Sequence, residues 1–428
     1  MLSSIFDSKD DLDILTKRFQ KKLDGCIAKS FRKIRMTQKS DSEDDLHDQM
    51  RKLKTKSDEK SKAKLQEVLA KIADNAKNNF NKVKAEIDKL KPNGKGMNSK
   101  KLWQLKKRLC PNSRTPPTAM KDSKGNLITE DEAIKERALE VFEKRLEGNE
   151  MADSLKEFES DTNKLCKLRL KLAKMKKTKP WDIKDIKLAL KGLAKDKSRD
   201  VDGYANELFA ITVAGDDLLL AVLKLLNCIK DRQQFPKSFE KCHITPLHKS
   251  KSKNDFENYR GVFRVSVIRS IMDRLLYIDS YETIDNNLTD ANVGARKERS
   301  VRDNIFVISA VTNSVLNGAS RPIQVEVMDV IKCYDKLWLE ACINALYEAG
   351  LNSDYLNLLY IENQTAQIAV KLNNNISKRI PVKNVVMQGS IWGGLKCTSQ
   401  MDTLNKYMKL HDNHTYKYRG DPTSVLVS

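Results

Sequence analysis

The stretch from Pro322 to Gly350, PIQVEVMDVIKCYDKLWLEACINALYEAG, changes period in its middle, and that change most narrows what this chain can fold into. Ile323, Val325 and Val327 interleave with Gln324, Glu326 and Met328, a pattern rich in strand formers. From Leu337 onward, Leu337, Ala341, Ala345 and Ala349 recur at helical spacing, and Gly350 stands where a helix C-cap is expected. One carboxylate, Asp329, ends the strand pattern, and a second, Asp335, falls before the helix begins. An acid at a strand tip is positionally fixed, and its hard oxygens suit Mg²⁺.

Elsewhere in 181–428 the same mixture continues. WDIKDIKLALKGLA and DDLLLAVLKLLNCIKD read as amphipathic helices, KCHITPLHK as a strand and NIFVISAVTNSVLNG as a helix. QIAVKL and ISKRIPV alternate about Asn373, Asn374 and Asn375 as a β-hairpin does. The part before Trp181 differs in charge. Of the net +21, residues 1–200 hold 51 basic against 33 acidic residues, and the rest only 28 against 25. A basic arm before a near-neutral body is a footprint of proteins that hold a polyanion, and also of a plain solvated helical extension.

Four segments follow from this. Residues 1–40 form a basic N-terminal segment. Residues 41–95 read as a long helix whose stripe of Leu65, Leu69, Ile72, Ala76, Phe80, Val83, Ile87 and Leu90 approaches coiled-coil spacing and would permit self-association. Residues 96–180 read as a basic helical linker, with a turn at DSKGN and a helix beginning near Thr129. Its last run, KLRLKLAKMKKTKP, suits either a solvated face or phosphate contact. Residues 181–428 complete the α/β body.

The eight cysteines include no C-x-x-C pair, which argues against zinc and for a reducing compartment. The first residues carry no apolar signal region, and no long apolar run crosses a membrane, so the expected location is cytoplasmic or nuclear. Gly215-Asp216-Asp217 opens an apolar helical pattern, where paired acids serve as capping and dipole residues rather than metal ligands.

Several blocks in order then resemble the reverse transcriptases of non-LTR (LINE-like) retrotransposons. DKSRDVDGYANELF, ITPLHKSKSKNDFENYRGVF, NVGARKERSVRDNIF, MDVIKCYDKLW and MQGSIWGGLKC each resemble a block of that family, from about Trp103 to Tyr418. The resemblance implies an α/β (α+β) polymerase right hand, here fingers and a partial palm, behind a helical, partly coiled-coil basic extension. It implies RNA-directed DNA polymerisation with an RNA template, a DNA primer and dNTPs, and no membrane. Asp329 would be the catalytic carboxylate, holding Mg²⁺ together with the backbone carbonyl of Val330. Lys249, Arg260, Tyr334, Gln388 and Gly389 would bind the nucleotide, Tyr334 by excluding a ribose 2′-hydroxyl. Lys197, Arg199, Arg296 and Arg299 would meet nucleic acid.

The chain departs from the pattern in places. Asn292, Ala295 and Trp392 replace the family's usual residues. After the block at Gln388 the family places two adjacent Asp on a hairpin, whereas TYKYRGDPTSVLVS has only Asp421, followed by Pro422. The metal site is therefore expected to lack its second carboxylate pair, the palm sheet to be unfinished, and polymerisation by this fragment alone to be weak or absent. The rival expectation is a non-catalytic nucleic-acid-binding remnant.

Overall fold

A computed structural model describes residues 2–8, 10–30, 46, 49–50, 53, 59–88, 119–146, 153–194, 197–211, 213–318, 325–329, 334, 337–372, 375–382, 387, 389–410, 414–417 and 423–427; for 325–329, 414–417 and 423–427 it gives backbone pairing only. The architecture is α+β, mostly helical with small sheets. Two compact units divide it, residues 27–116 and a larger unit of Met1–Cys26 with Pro117–Ser428.

The first helix, α1, runs Leu12–Ser30, and α2, Glu59–Asp88, belongs to the smaller unit. That helix carries the expected stripe as far as Ile87, with Leu69 and Phe80 exposed; Leu90 lies outside the described residues. In the larger unit a short ribbon, β1 Met120–Lys121 and β2 Leu127–Ile128, turns at Gly125, where φ is +89° and Asp122 accepts from the amides of Lys124 and Asn126. Then come α3 Asp131–Leu146, α4 Lys156–Met175, α5 Ile183–Lys191, α6 Asp216–Arg232 and the single turn α7 Lys237–Glu240. Asp182 and Asp185 form a capping box at the start of α5. The chain goes on through β3 Lys241–His248, β4 Tyr259–Arg264, α8 Val267–Asn286, α9 Val301–Gly318, β5 Val325–Asp329, α10 Leu339–Glu348 and α11 Asp354–Gln364. It closes with β6 Gln367–Leu372, β7 Asn375–Ile376, β8 Ile380–Pro381, α12 Ile391–Leu410, β9 His414–Lys417 and β10 Thr423–Val427. No described helix is long and apolar enough to cross a membrane.

The larger sheet has β3 at its heart, antiparallel to β4 and parallel to β6, with β7 and β8 both antiparallel to β6. Alternation sends Cys242, Ile244, Phe263, Ile368 and Val370 to one face, where they meet Ile134, Ala138, Val141 and Phe142 of α3. Each such side chain fully withdrawn from water contributes about 1.5–3 kcal/mol. Gly261 sits where the helix presses closest: a Cβ there would stand 2.9 Å from the Phe142 ring.

The second sheet runs β5–β10–β9, all antiparallel, so the strand that ends on Asp329 lies at its edge and β10 in its middle. β9 takes in Thr415, Tyr416 and Lys417, and a return strand, β10, pairs with both neighbours. Asp217, in the segment set aside as a capping acid, accepts from the Leu2 amide at 2.7 Å and the Ser3 hydroxyl at 2.8 Å, which fastens the N-terminal turn to α6.

Candidate functional site

The face of the larger sheet that points away from α3 is cationic. Cross-strand partners share a face, and the register sets His243 opposite Arg264, Leu247 opposite Arg260, and His243 beside Ala369. Lys241 and Lys371 fall on that face by parity, and Arg379 brings a guanidinium nitrogen to 3.5 Å from His243 Nε2. The His243 imidazole is buried among them. Burial first, and then Arg379, Lys371 and Lys241, push its pKa down to about 4, so the ring is neutral at physiological pH.

A tight turn, 197–204, lies beside this face. Its centre is Asp200, whose carboxylate accepts from the amides of Asp202 at 2.9 Å, Tyr204 at 2.7 Å and Val267 at 2.7 Å. Gly203 supplies the positive φ of +90° that closes the turn. Ser198 accepts a hydrogen bond from Arg264, which joins the turn to β4. Asp202 has a pKa raised to about 6, by burial and by its neighbour Asp200, against the pull of Lys241 and Arg379. Lys197 and Arg199 stand exposed on the same turn.

Lys249 and Arg260 both lie at the loop end of the β3–β4 hairpin, beside the 249–258 connection. The ladder continues past β3 through the Lys249 amide, which donates to Asn258 O at 3.0 Å, and Arg260 is exposed one position further along β4. Gly389, with φ +106°, presses on the same strand: a Cβ there would stand 3.2 Å from Phe263 O and 3.4 Å from Val262 Cγ1. Gly393 follows in the first turn of α12, within 3.8 Å of the Tyr334 ring by the same construction. Tyr334 packs with Leu337, Cys342, Cys397 and Met401. The structure thus brings Lys249, Arg260, Gly389, Ser198 and the turn that bears Lys197 and Arg199 around one strand pair, with Tyr334 at the neighbouring helix end.

Asp329 ends β5 directly opposite Thr423 of β10. Asp421 precedes Thr423 by two residues in the sequence. Its own placement lies outside the described residues, as do Val330, Asp335 and Gln388. Among the described residues no group of three or more His, Cys, Asp or Glu is close enough to hold a metal ion.

Arg296, expected to meet nucleic acid, turns inward instead. Its guanidinium is buried and donates to Asp285 Oδ1 at 2.8 Å and to the carbonyls of Asp285, Thr289 and Asn292. With every nitrogen engaged, it orders the 285–296 loop rather than reaching a phosphate. Arg299 is half-exposed and pairs with Asp290 at 3.1 Å.

The residues that sequence reasoning missed are Lys241, His243, Arg264, Lys371 and Arg379. Their signal is strand parity, which becomes readable only once the order β4–β3–β6 is known. No family model matches the chain.

Proposed function

We propose that residues 181–428 form the fingers and part of the palm of an RNA-directed DNA polymerase, a nucleotidyltransferase that extends a DNA primer on an RNA template with dNTPs. The observation that carries this reading is the register that sets the Asp329 end of β5 opposite Thr423, beside a hairpin whose connecting residues include Asp421. A carboxylate that ends β5 and another two residues before β10 in sequence supply the hard-oxygen donors that Mg²⁺ takes. Asp329 and Asp421, with the main-chain carbonyl of Val330, would hold it, and bound there it would lower the pKa of the primer 3′-hydroxyl and offset charge on the triphosphate.

The side chains of the chain itself do the positioning. Lys249 and Arg260, at the loop end of the hairpin, hold the triphosphate by charge-assisted hydrogen bonds. The bare backbone of Gly389 leaves room for the nucleotide close to β4. Tyr334, packed beside α12, excludes a ribose 2′-hydroxyl. Arg264, Lys371 and Arg379, with Lys197 and Arg199, supply a cationic floor for the nucleic-acid backbone.

Primer extension on an RNA template with Mg²⁺ tests the reading. Asp329→Asn and Asp421→Asn should each lower the rate by about 10²–10³ while leaving template binding intact. Unchanged extension in both variants would overturn it. A second reading, nucleic-acid binding without catalysis, is favoured by the lone acid in the β9–β10 connection where the family resemblance implies two. In that case the wild-type chain extends no primer but binds RNA with a steep salt dependence.

A further inference from the structure

Helix α4 is apolar on two sides; among the described residues one is buried and the other stays largely exposed, with Phe158 meeting Trp338 edge-on at a centroid distance of 6.2 Å. Cys166, Leu170 and Ala173 are buried, on the side that packs on α10 and α11. On the adjoining side Phe158, Leu165, Leu168, Leu172 and Met175 form a second stripe, exposed by 62%, 41%, 53%, 45% and 76%. Steps of seven, three, four and three keep these five on one face of a helix. A helix that is apolar on both sides is normally enclosed, and a contiguous exposed stripe of large side chains marks an interaction surface.

The charges along α4 indicate what covers it. Glu157, Glu159 and Asp161 stand in its first turns, and Lys164, Lys167, Arg169, Lys171 and Lys174 in the remainder. Such a helix is complementary to its own copy laid antiparallel. An overlay centred near Leu165 sets Phe158 on Leu172 of the second copy and, along the outer edge of the stripe, Glu157 beside Lys171, each contact occurring twice. Lys164, nearest the centre, is already neutralised by Asp161 of its own chain at 3.0 Å. A parallel overlay would set acid on acid and base on base.

We propose that the exposed stripe of α4 is a self-association surface, through which two copies of this chain pair with their α4 helices antiparallel. The surface is independent of the polymerase reading and lies on a segment that the sequence assigned to a linker.

Sedimentation equilibrium of the full chain, over a series of protein concentrations, tests it. The expected result is a reversible dimer, with Leu168→Glu/Leu172→Glu monomeric and still folded by circular dichroism, since both side chains are exposed. Glu157→Lys and Lys171→Glu should each weaken association about tenfold, through two lost pairs and two repulsions. The double swap Glu157→Lys/Lys171→Glu should restore it. A wild-type chain that stays monomeric throughout would overturn the proposal, because the stripe is then covered within the chain or left bare. A dimer that survives Leu168→Glu/Leu172→Glu, or one that the double swap fails to rescue, would overturn it equally.

Discussion

Arg269 and Glu362 form an ion pair at 2.7 Å with side chains only 1% and 4% exposed. The guanidinium also donates to Phe239 O at 2.6 Å and lies 3.4 Å from Cys242 Sγ and 3.7 Å from Met387 Sδ. One buried cation therefore ties α8 to the start of β3, the end of α11 and the segment that leads into Gly389. Burial alone would raise the Glu362 carboxyl, but Arg269 and then Lys396 outweigh it and hold the group below the usual carboxylate range. Asp273 on α8 is driven the other way by burial and by Glu362.

Breaking that pair from one side leaves a bare buried charge. Arg269→Met should cost about 3–5 kcal/mol, whereas Arg269→Met/Glu362→Leu should recover much of the loss. Urea denaturation of both variants measures this. A double variant as unstable as the single one would mean that the pair's hydrogen bonds, and not the orphaned charge, set the cost.

Gly389 adopts a φ that L side chains rarely take, with β4 backbone close behind it. Gly389→Ala should cost about 1–3 kcal/mol and, if the turn lines the nucleotide site, raise the KM for dNTP more than it lowers kcat. Thermal unfolding together with primer extension reads both. A variant indistinguishable from wild type would show that the turn is not pinned against Val262 and Phe263.

Two classes of arginine should separate in a binding assay. Arg264→Ala and Lys371→Ala each remove a cation from the cationic sheet face and should reduce the salt slope of RNA binding by about 1. Arg296→Ala should leave that slope alone and instead cost about 3 kcal/mol of stability, since it empties a fully bonded buried site. Filter binding at several salt concentrations, beside denaturation curves, distinguishes the two; equal slope changes for Arg264 and Arg296 would contradict the inward placement of Arg296.

His243 should make the chain acid-sensitive. Its folded pKa, about 4, lies below the ordinary 6.5, so the stability it contributes is fully present above 6.5 and is lost as pH falls from there toward 4. Over that window the loss approaches about 1.4 kcal/mol per pH unit. Asp202 runs the other way: its pKa, raised to about 6, means that the folded state loses stability as pH climbs from the ordinary carboxylate value through 6. His243→Gln should flatten the acid limb and Asp202→Asn the rise, both read from unfolding curves at a series of pH values. An unchanged profile in either variant would place that group in water.

Much of the local structure was legible in the residues. The alternation of KCHITPLHK yields β3, that of QIAVKL yields β6, and the periodicity after Leu337 yields α10 with Gly350 at its end, where φ is +95°. These signals are local, so they survive without knowledge of partners. The cationic sheet face was not legible, because Lys241, Arg264, Lys371 and Arg379 come together only through pairing across long stretches of chain. Arg296 was misassigned for a related reason: its acceptors are mostly main-chain carbonyls, which carry no sequence signature. The return strand β10 was overlooked because TSVLV follows a proline and was judged by the missing second Asp before it, rather than by its own run of strand formers.

The middle position of β10 has a consequence for how the chain is made. During vectorial synthesis β5 leaves the ribosome well before β10, its only sheet partner among the described residues, which emerges after α10, α11, the β6–β8 strands, α12 and β9. Until then β5 has no hydrogen-bonded neighbour and the Asp329 end no fixed setting. The sheet that carries Asp329 would be the last part of the body to be assembled, so the nascent chain passes through a stage in which the β4–β3–β6 face is complete while the strand that ends on Asp329 is still unpaired.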